Sequence, residues 1–182
     1  MNLSEFWQLI AQTHADSVGM PPRQFDRLVQ TLVAIPVRDI LDYDRIHETL
    51  MNRAYTSDVW NAAYMMTSCG DDSFSDFRGW LIAQGKATFE KTLHDPDYLA
   101  EVVVIEAREQ CCWESLSYVA SEAHWQKTGE DHGLPNYLFH PKLTGNVELI
   151  HRNEDYQKYY PKLWAKFSWL WIASDRDESD PT

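Results

Sequence analysis

An all-α fold, or one strongly dominated by helices, is what this sequence predicts: a single-domain bundle of about seven helices around a central helical hairpin. Three observations predict it. From Ser57 to Leu99 two apolar runs at helical spacing flank a short turn, Cys69-Gly70-Asp71-Asp72-Ser73, and the segments on either side read as helices that pack around that hairpin. Cap residues and first-turn prolines recur at the ends of such runs. The one β-branched run, Val102 to Ile105, favours a strand by composition but would have no partner, so it reads as helix or extended linker.

Taken in order, Asn2 and Glu5 make a capping pair, and Leu3, Phe6, Trp7, Ile10 and His14 follow helical spacing as far as Asp16. Ser17 to Met20 is a turn. Pro21 and Pro22 open a second helix whose apolar face is Phe25, Leu28, Val29 and Leu32. Pro36 ends it and can serve as the first residue of a third helix. There Val37, Ile40, Leu41, His47, Leu50 and Ala54 run along one side, and Asp39, Asp42, Asp44 and Glu48 along the other. Those acids read as a solvated face, because Asp and Glu are seldom buried, and His47 as a partly buried core histidine rather than a ligand.

The hairpin's first helix carries Val59, Trp60, Ala62, Ala63, Tyr64, Met65 and Met66, apolar on every side, which suits a central helix covered all round. Gly70 suits the left-handed residue that ends a helix, and Ser73 with Asp76 resembles a capping box for the next. In that second helix Phe74, Phe77 and Leu81 recur at three and four residues with Trp80 widening the stripe; Gly85 interrupts it, and Phe89 and Leu93 resume. Arg78 lies among these aromatics, where a guanidinium needs a carboxylate or a stacked ring; a carboxylate of the hairpin, the third helix or the long helix is the expected partner.

Asp95-Pro96 marks one short helical turn. Cys111 to Gly129 reads as a long amphipathic helix with Cys112, Leu116, Val119, Ala120 and Ala123 on one face. Periodicity then disappears across an irregular loop at 129–153, in which Val147 to Ile150 could pair as a short strand. Tyr156, Tyr160, Leu163, Trp164, Phe167 and Trp171 form a closing stripe, core in preference to partner surface, with Pro161 starting a helix. Residues 1–174 thus read as one helical domain and 175–182 as a frayed acidic tail.

The composition narrows the function. With 44% hydrophobic residues and eight tryptophans the chain lies far from the disordered regime. A net charge of −12 argues against nucleic acid and against anionic membrane surfaces, since both need clustered Lys and Arg, and leaves a basic protein partner or a small molecule. No charged-then-apolar leader and no apolar run long enough to span a bilayer is present, and three cysteines make no disulfide framework, so a cytoplasmic location is expected. No metalloprotease, C-x-x-C, phosphate-loop, dinucleotide or nucleophile-elbow motif occurs, and no cofactor is expected. Cys111 and Cys112 point apart on a helix. His132, His140 and His151 share the loop and could meet around a metal, but solvent-facing histidines are the plainer account, so no stoichiometric metal is expected.

Asp71 and Asp72 can be read two ways. Adjacent carboxylates can bind a hard cation or hold one raised pKa by mutual repulsion. They can equally sit before a helix, favoured by its dipole, and this structural reading leads. Glu114, Tyr118 and Glu122 could converge on the same place.

The run W-x-A-A-Y from Trp60, then C-x-D-D-x-F-x-x-F-R-x-W-L-I-x-x-G, then F-x-x-x-L-x-D-P-D-x-L resembles a bacterial family catalogued as domain of unknown function 4240. The likeness is close from Trp60 to Leu99, loose over the N-terminal helices and around Tyr118, and fades beyond Gly129. Where the family commonly has serine after the cysteine and glycine before the phenylalanine, this chain has Gly70 and Ser73. The resemblance implies a fold and a hot spot, without a reaction. The leading expectation is therefore an acidic cytosolic bacterial protein acting as a non-catalytic protein- or ligand-binding module near the Asp71 turn, with inhibition of a basic partner suggested by charge alone. Its candidate residues are Asp71, Asp72, Arg78, Tyr64, Trp60 and Trp80. The alternative is a carboxylate- or metal-assisted hydrolase using Asp71 and Asp72. A closed pocket lined by both carboxylates, Arg78 and a tyrosine would favour the enzyme, and an exposed aromatic patch the binder.

Overall fold

Asn2 starts the fold as its sequence predicts: its side chain accepts from the Ser4 and Glu5 N–H groups while Glu5 reaches back to the Asn2 N–H, a reciprocal capping box on helix α1 (Leu3–Ala15). The computed structural model describes residues 1–17, 20–130, 134–135 and 142–171. Helices α2 (Pro21–Val33), α3 (Val37–Arg53), α4 (Ser57–Thr67), α5 (Asp71–Ala83) and α6 (Lys86–His94) follow, then a 3-10 turn at Pro96–Tyr98 and the short α7 (Leu99–Val102). After two 3-10 stretches come α8 (Val119–Thr128), α9 (Asn153–Tyr159) and α10 (Pro161–Phe167). Among the described residues seven α-helices have nine residues or more, and the only ladder contact is an isolated bridge between Thr56 and Thr144. No helix among them is long and apolar enough to cross a membrane.

The helices meet in one contiguous core. Phe6 of α1, Phe74 and Phe77 of α5, Phe89 of α6 and Phe167 of α10 are fully buried in it, each such ring contributing about 1.5–3 kcal/mol. On α4 the Val59, Ala62, Ala63, Met65 and Met66 side chains are buried, so the central helix is covered as expected except where Trp60 and Tyr64 emerge. Asp97, itself buried, accepts from the Lys162 and Leu163 N–H groups and so satisfies the first turn of α10 from across the fold.

Several local expectations give way to tertiary demands. The left-handed residue after α4 is Ser68 (φ 58°), not Gly70, which is extended and serves as N-cap of α5. Ser73 is therefore inside α5 and caps nothing, and Asp71 and Asp72 form the helix's first turn instead of preceding it. The stretch read as one long helix is 3-10 at Ile105–Cys112 and Glu114–Tyr118, and α-helical only from Val119. The second of these stretches packs close against α5: a Cβ on Gly79 would lie 3.0 Å from the Ser117 hydroxyl. Val103 and Val104 are an extended linker. The acids of α3 are half-buried, not solvated: Asp39 and Asp42 both hold the Met1 ammonium, the latter at 2.7 Å.

Val147 to Ile150 forms no strand. The segment 144–150 lies along α4 as a strap. Ser57 donates through its N–H (2.7 Å) and its hydroxyl (3.1 Å) to the Thr144 carbonyl. The Asp58 carboxylate accepts from the Asn146 and Val147 N–H groups at 2.7 and 3.0 Å. Asn61 donates to the Glu148 carbonyl and accepts from the Ile150 N–H, each at 2.9 Å. The strap's backbone is thus satisfied by helix side chains in place of a neighbouring strand.

Candidate functional site

Trp60 and Tyr64, one helical turn apart, share the side of α4 that the core leaves uncovered. The strap runs past that side, and between the two lies a cavity of about 460 Å³, within the range of small-molecule sites. Its floor is Trp60, Asn61 and Tyr64, with Cys69 and Gly70 at one end. The facing wall comes from Leu149, Ile150 and His151 of the strap; Asn153 and Tyr156 of α9, and Trp171, close the other end.

The walls are held in place by packing and hydrogen bonds. Trp60 stacks on Phe74 at 4.7 Å with 13° between planes, and its indole N–H donates to the Cys69 carbonyl at 3.3 Å. Trp171 packs against Tyr64 at 5.0 Å and stacks on Tyr156 at 6.4 Å, while its indole N–H donates to the Met65 carbonyl at 3.1 Å. Asn61 is committed to the strap, and the Tyr160 hydroxyl, donating to the Asp58 carbonyl at 3.0 Å, ties α10 to the same turn of α4. Burial pushes the Cys69 thiol up to about 12, so it stays protonated. Among the described residues no Asp, Glu, Lys or Arg lines the cavity.

The residues singled out from sequence are divided by the fold. Trp60 and Tyr64 line the cavity. Asp71 and Asp72 are exposed on the first turn of α5, immediately after the lining residue Gly70. Asp72 acts with Asp76 and Glu114 as an acidic surface group: burial, then Glu114 and Asp72, raise the Asp76 carboxyl, and the Tyr118 hydroxyl donates to Glu114 at 3.1 Å. Glu122 turns away to Gln126. Arg78 belongs to neither place. Its guanidinium lies over Tyr55 and Phe74 at 4.9 and 5.1 Å and donates to the Met51 carbonyl at 3.0 Å. It takes the stacked-ring alternative, and no described carboxylate reaches ion-pair distance. Trp80 is buried in the core beside a second, smaller cavity of about 110 Å³ that it shares with His14 and Gln24.

Sequence reasoning missed Asn61, His151, Asn153, Tyr156 and Trp171 as cavity residues. The signal was there for Asn61, with Asp58 a polar residue on an otherwise apolar helix, whereas Tyr156 and Trp171 are indistinguishable from core positions by spacing. His132 and His140 lie outside the described residues; among those described, no group of three His, Cys, Asp or Glu could hold a metal.

A family model described as a protein of unknown function, DUF4240, matches residues 1–126. No curated protein and no solved structure matches. The match takes in the α4 floor of the cavity and the Cys69-Gly70 end, while the strap, α9 and Trp171 lie beyond it.

Proposed function

The chain belongs to the DUF4240 family of proteins of unknown function, and on that premise we propose that it is a non-catalytic binding module that takes a small ligand between α4 and the strap. The observation that carries this reading is the cavity itself: about 460 Å³, four aromatic rings, a few polar groups at its edges and, among the described residues, no Asp, Glu, Lys or Arg in its lining. Such a composition suits burial of an apolar or aromatic-compatible ligand. Its one side chain of the usual general acid–base type is His151, with no described carboxylate beside it in the lining. The hydrolase alternative gains nothing from the geometry, because Asp71 and Asp72 are on the surface of α5 and do not face each other across a substrate-sized space. A basic protein partner would have the acidic surface at Asp72, Asp76 and Glu114 to engage, but a concave cavity favours a small molecule over it.

The test is a small-molecule screen read by intrinsic tryptophan fluorescence, since Trp60 and Trp171 line the cavity. Ligands found should lose at least tenfold in affinity on Tyr64→Ala, and keep it on Trp80→Phe, which alters an indole outside the cavity. Ligands that bind equally well to Tyr64→Ala, or turnover of any ligand that disappears with Asp71→Asn, would overturn the assignment.

A further inference from the structure

Trp60, Tyr64, Tyr156 and Trp171 bring four aromatic rings to one cavity, and acids predominate among the charged residues that adjoin its lining in the chain. Three of its lining positions are followed or preceded directly by acids: Asp71 and Asp72 come after Gly70, Glu148 before Leu149, and Glu154 and Asp155 after Asn153. The two basic residues of that stretch, Arg152 and Lys158, offset part of this charge and leave the acids in excess. Arg152 pairs with Asp155 at 2.9 Å, and Lys158 donates to the Tyr159 hydroxyl at 2.9 Å. With a net charge of −12 behind it, the mouth carries a negative field, which a low-dielectric wall of rings does little to screen.

Ligand chemistries can be compared on these terms. A carboxylate or phosphate would meet no lysine or arginine among the described lining residues and would enter against the field. A neutral polar ligand would find hydrogen-bonding groups only towards His151, Asn153 and the tyrosine hydroxyls, because the Asn61 amide is spent on the strap and the Trp60 and Trp171 indole N–H groups on backbone carbonyls. An alkylated ammonium needs no hydrogen-bond acceptor, is attracted by the quadrupole of each ring face, and is drawn in by the acids outside. We propose that the cavity binds an organic cation, with an alkylated ammonium group held against Trp60, Tyr64, Tyr156 and Trp171 and the rest of the molecule reaching towards His151 and Asn153. This rests on the reading of the cavity as a ligand site and names the class of ligand.

Calorimetric titration of the full chain with choline, with its neutral isostere 3,3-dimethylbutan-1-ol, and with indole as a flat neutral ring tests it. Choline should bind at one site per chain, at least tenfold more tightly than the isostere, and more weakly as salt is raised. Tyr64→Leu should weaken choline by about five- to thirtyfold, the worth of one desolvated cation–π contact, and Tyr64→Phe should restore it. In case the leucine variant fails to fold, the indole N–H resonances of Trp60 and Trp171 in the unaltered chain must shift on adding choline. Isostere or indole binding as tightly as choline would overturn the cation while leaving the cavity as a ligand site. Choline affinity unchanged by Tyr64→Leu, unmoved indole resonances, or no choline binding at millimolar concentration would overturn the proposal, and the fluorescence screen then decides separately whether the cavity binds anything.

Discussion

Arg78 is half-buried and yet holds no carboxylate among the described residues; two ring faces and the Met51 carbonyl take its charge. Burial lowers its pKa slightly less than it otherwise would because Tyr55, Glu48 and Asp71 act in the opposite sense. Truncation therefore strands no buried acid. Arg78→Ala should cost about 1–3 kcal/mol, the loss of two hydrogen bonds, to the Met51 and Phe74 carbonyls, and two ring contacts, where breaking a buried ion pair would cost about 3–5 kcal/mol. Urea denaturation of the two proteins measures the difference. Close by, His47 and Asp44 titrate in opposite senses. Burial, then Arg78, pushes His47 from 6.5 down to about 4, so the unfolded chain binds the proton more readily and stability is lost as pH falls from 6.5 to about 4. Burial, then Glu48, pushes Asp44 from 3.8 up to about 6, so the folded chain holds the proton more readily and stability is lost as pH rises from 3.8 to about 6. Melting curves should show Asp44→Asn gaining stability at pH 7.5 and nothing near pH 4, and His47→Gln flattening the loss on the acid side. A gain for Asp44→Asn that is equal at both pH values would contradict this.

At the scale of elements, the strap owes its course to Gly145. Its φ of +139° is one that L side chains rarely adopt, and a Cβ there would lie 2.1 Å from the Ser57 hydroxyl and 2.9 Å from an Asp58 carboxylate oxygen. Gly145→Ala should destabilise by about 1–3 kcal/mol and release the strap from α4. In hydrogen exchange, protection should fall at Asn146, Val147 and Ile150 and at the first turn of α4, with α1 to α3 unchanged. Unchanged protection at Ile150 would mean that Asn61 alone fastens the strap. The α4–α5 turn was only half legible. Sequence marks a turn containing Gly70, but whether glycine ends one helix or starts the next depends on where α5 must begin to bury Phe74 and Phe77. That choice moves Asp71 and Asp72 into the helix, where the dipole favours both alike.

For the whole molecule, the cavity lies at a seam between the stretch that matches the family and the C-terminal stretch that does not. The core crosses the same seam: Tyr156, Tyr160, Leu163 and Phe167 are buried with the residues of α1 to α6. Residues 1–171 should accordingly melt in a single calorimetric transition. A chain ending at residue 126 should bind a dye for exposed apolar surface, because the Trp60–Tyr64 side of α4 and the pockets for Leu163 and Phe167 would open to water. Two separate transitions in the longer chain would show that the C-terminal helices fold as their own unit.

The sequence by itself determined that the chain is helical, where most helices start, and that the hairpin from Ser57 to Leu99 is its centre, because period, caps and prolines act within a few residues of one another. It also brought forward Trp60 and Tyr64, since an apolar helix with two large aromatics one turn apart is visible in one dimension. Only the tertiary structure decided that these two rings face a cavity and not the core, that Arg78 is held by rings and a carbonyl, and that the stretch from Cys111 winds as 3-10 helix past Gly79. Each of those outcomes depends on a partner far along the chain, from 23 positions between Tyr55 and Arg78 to 111 between Trp60 and Trp171, or on the space one helix leaves for another. Local spacing carries no information about contacts at that range, so a ring destined for a cavity and a ring destined for the core look the same until the chain has packed.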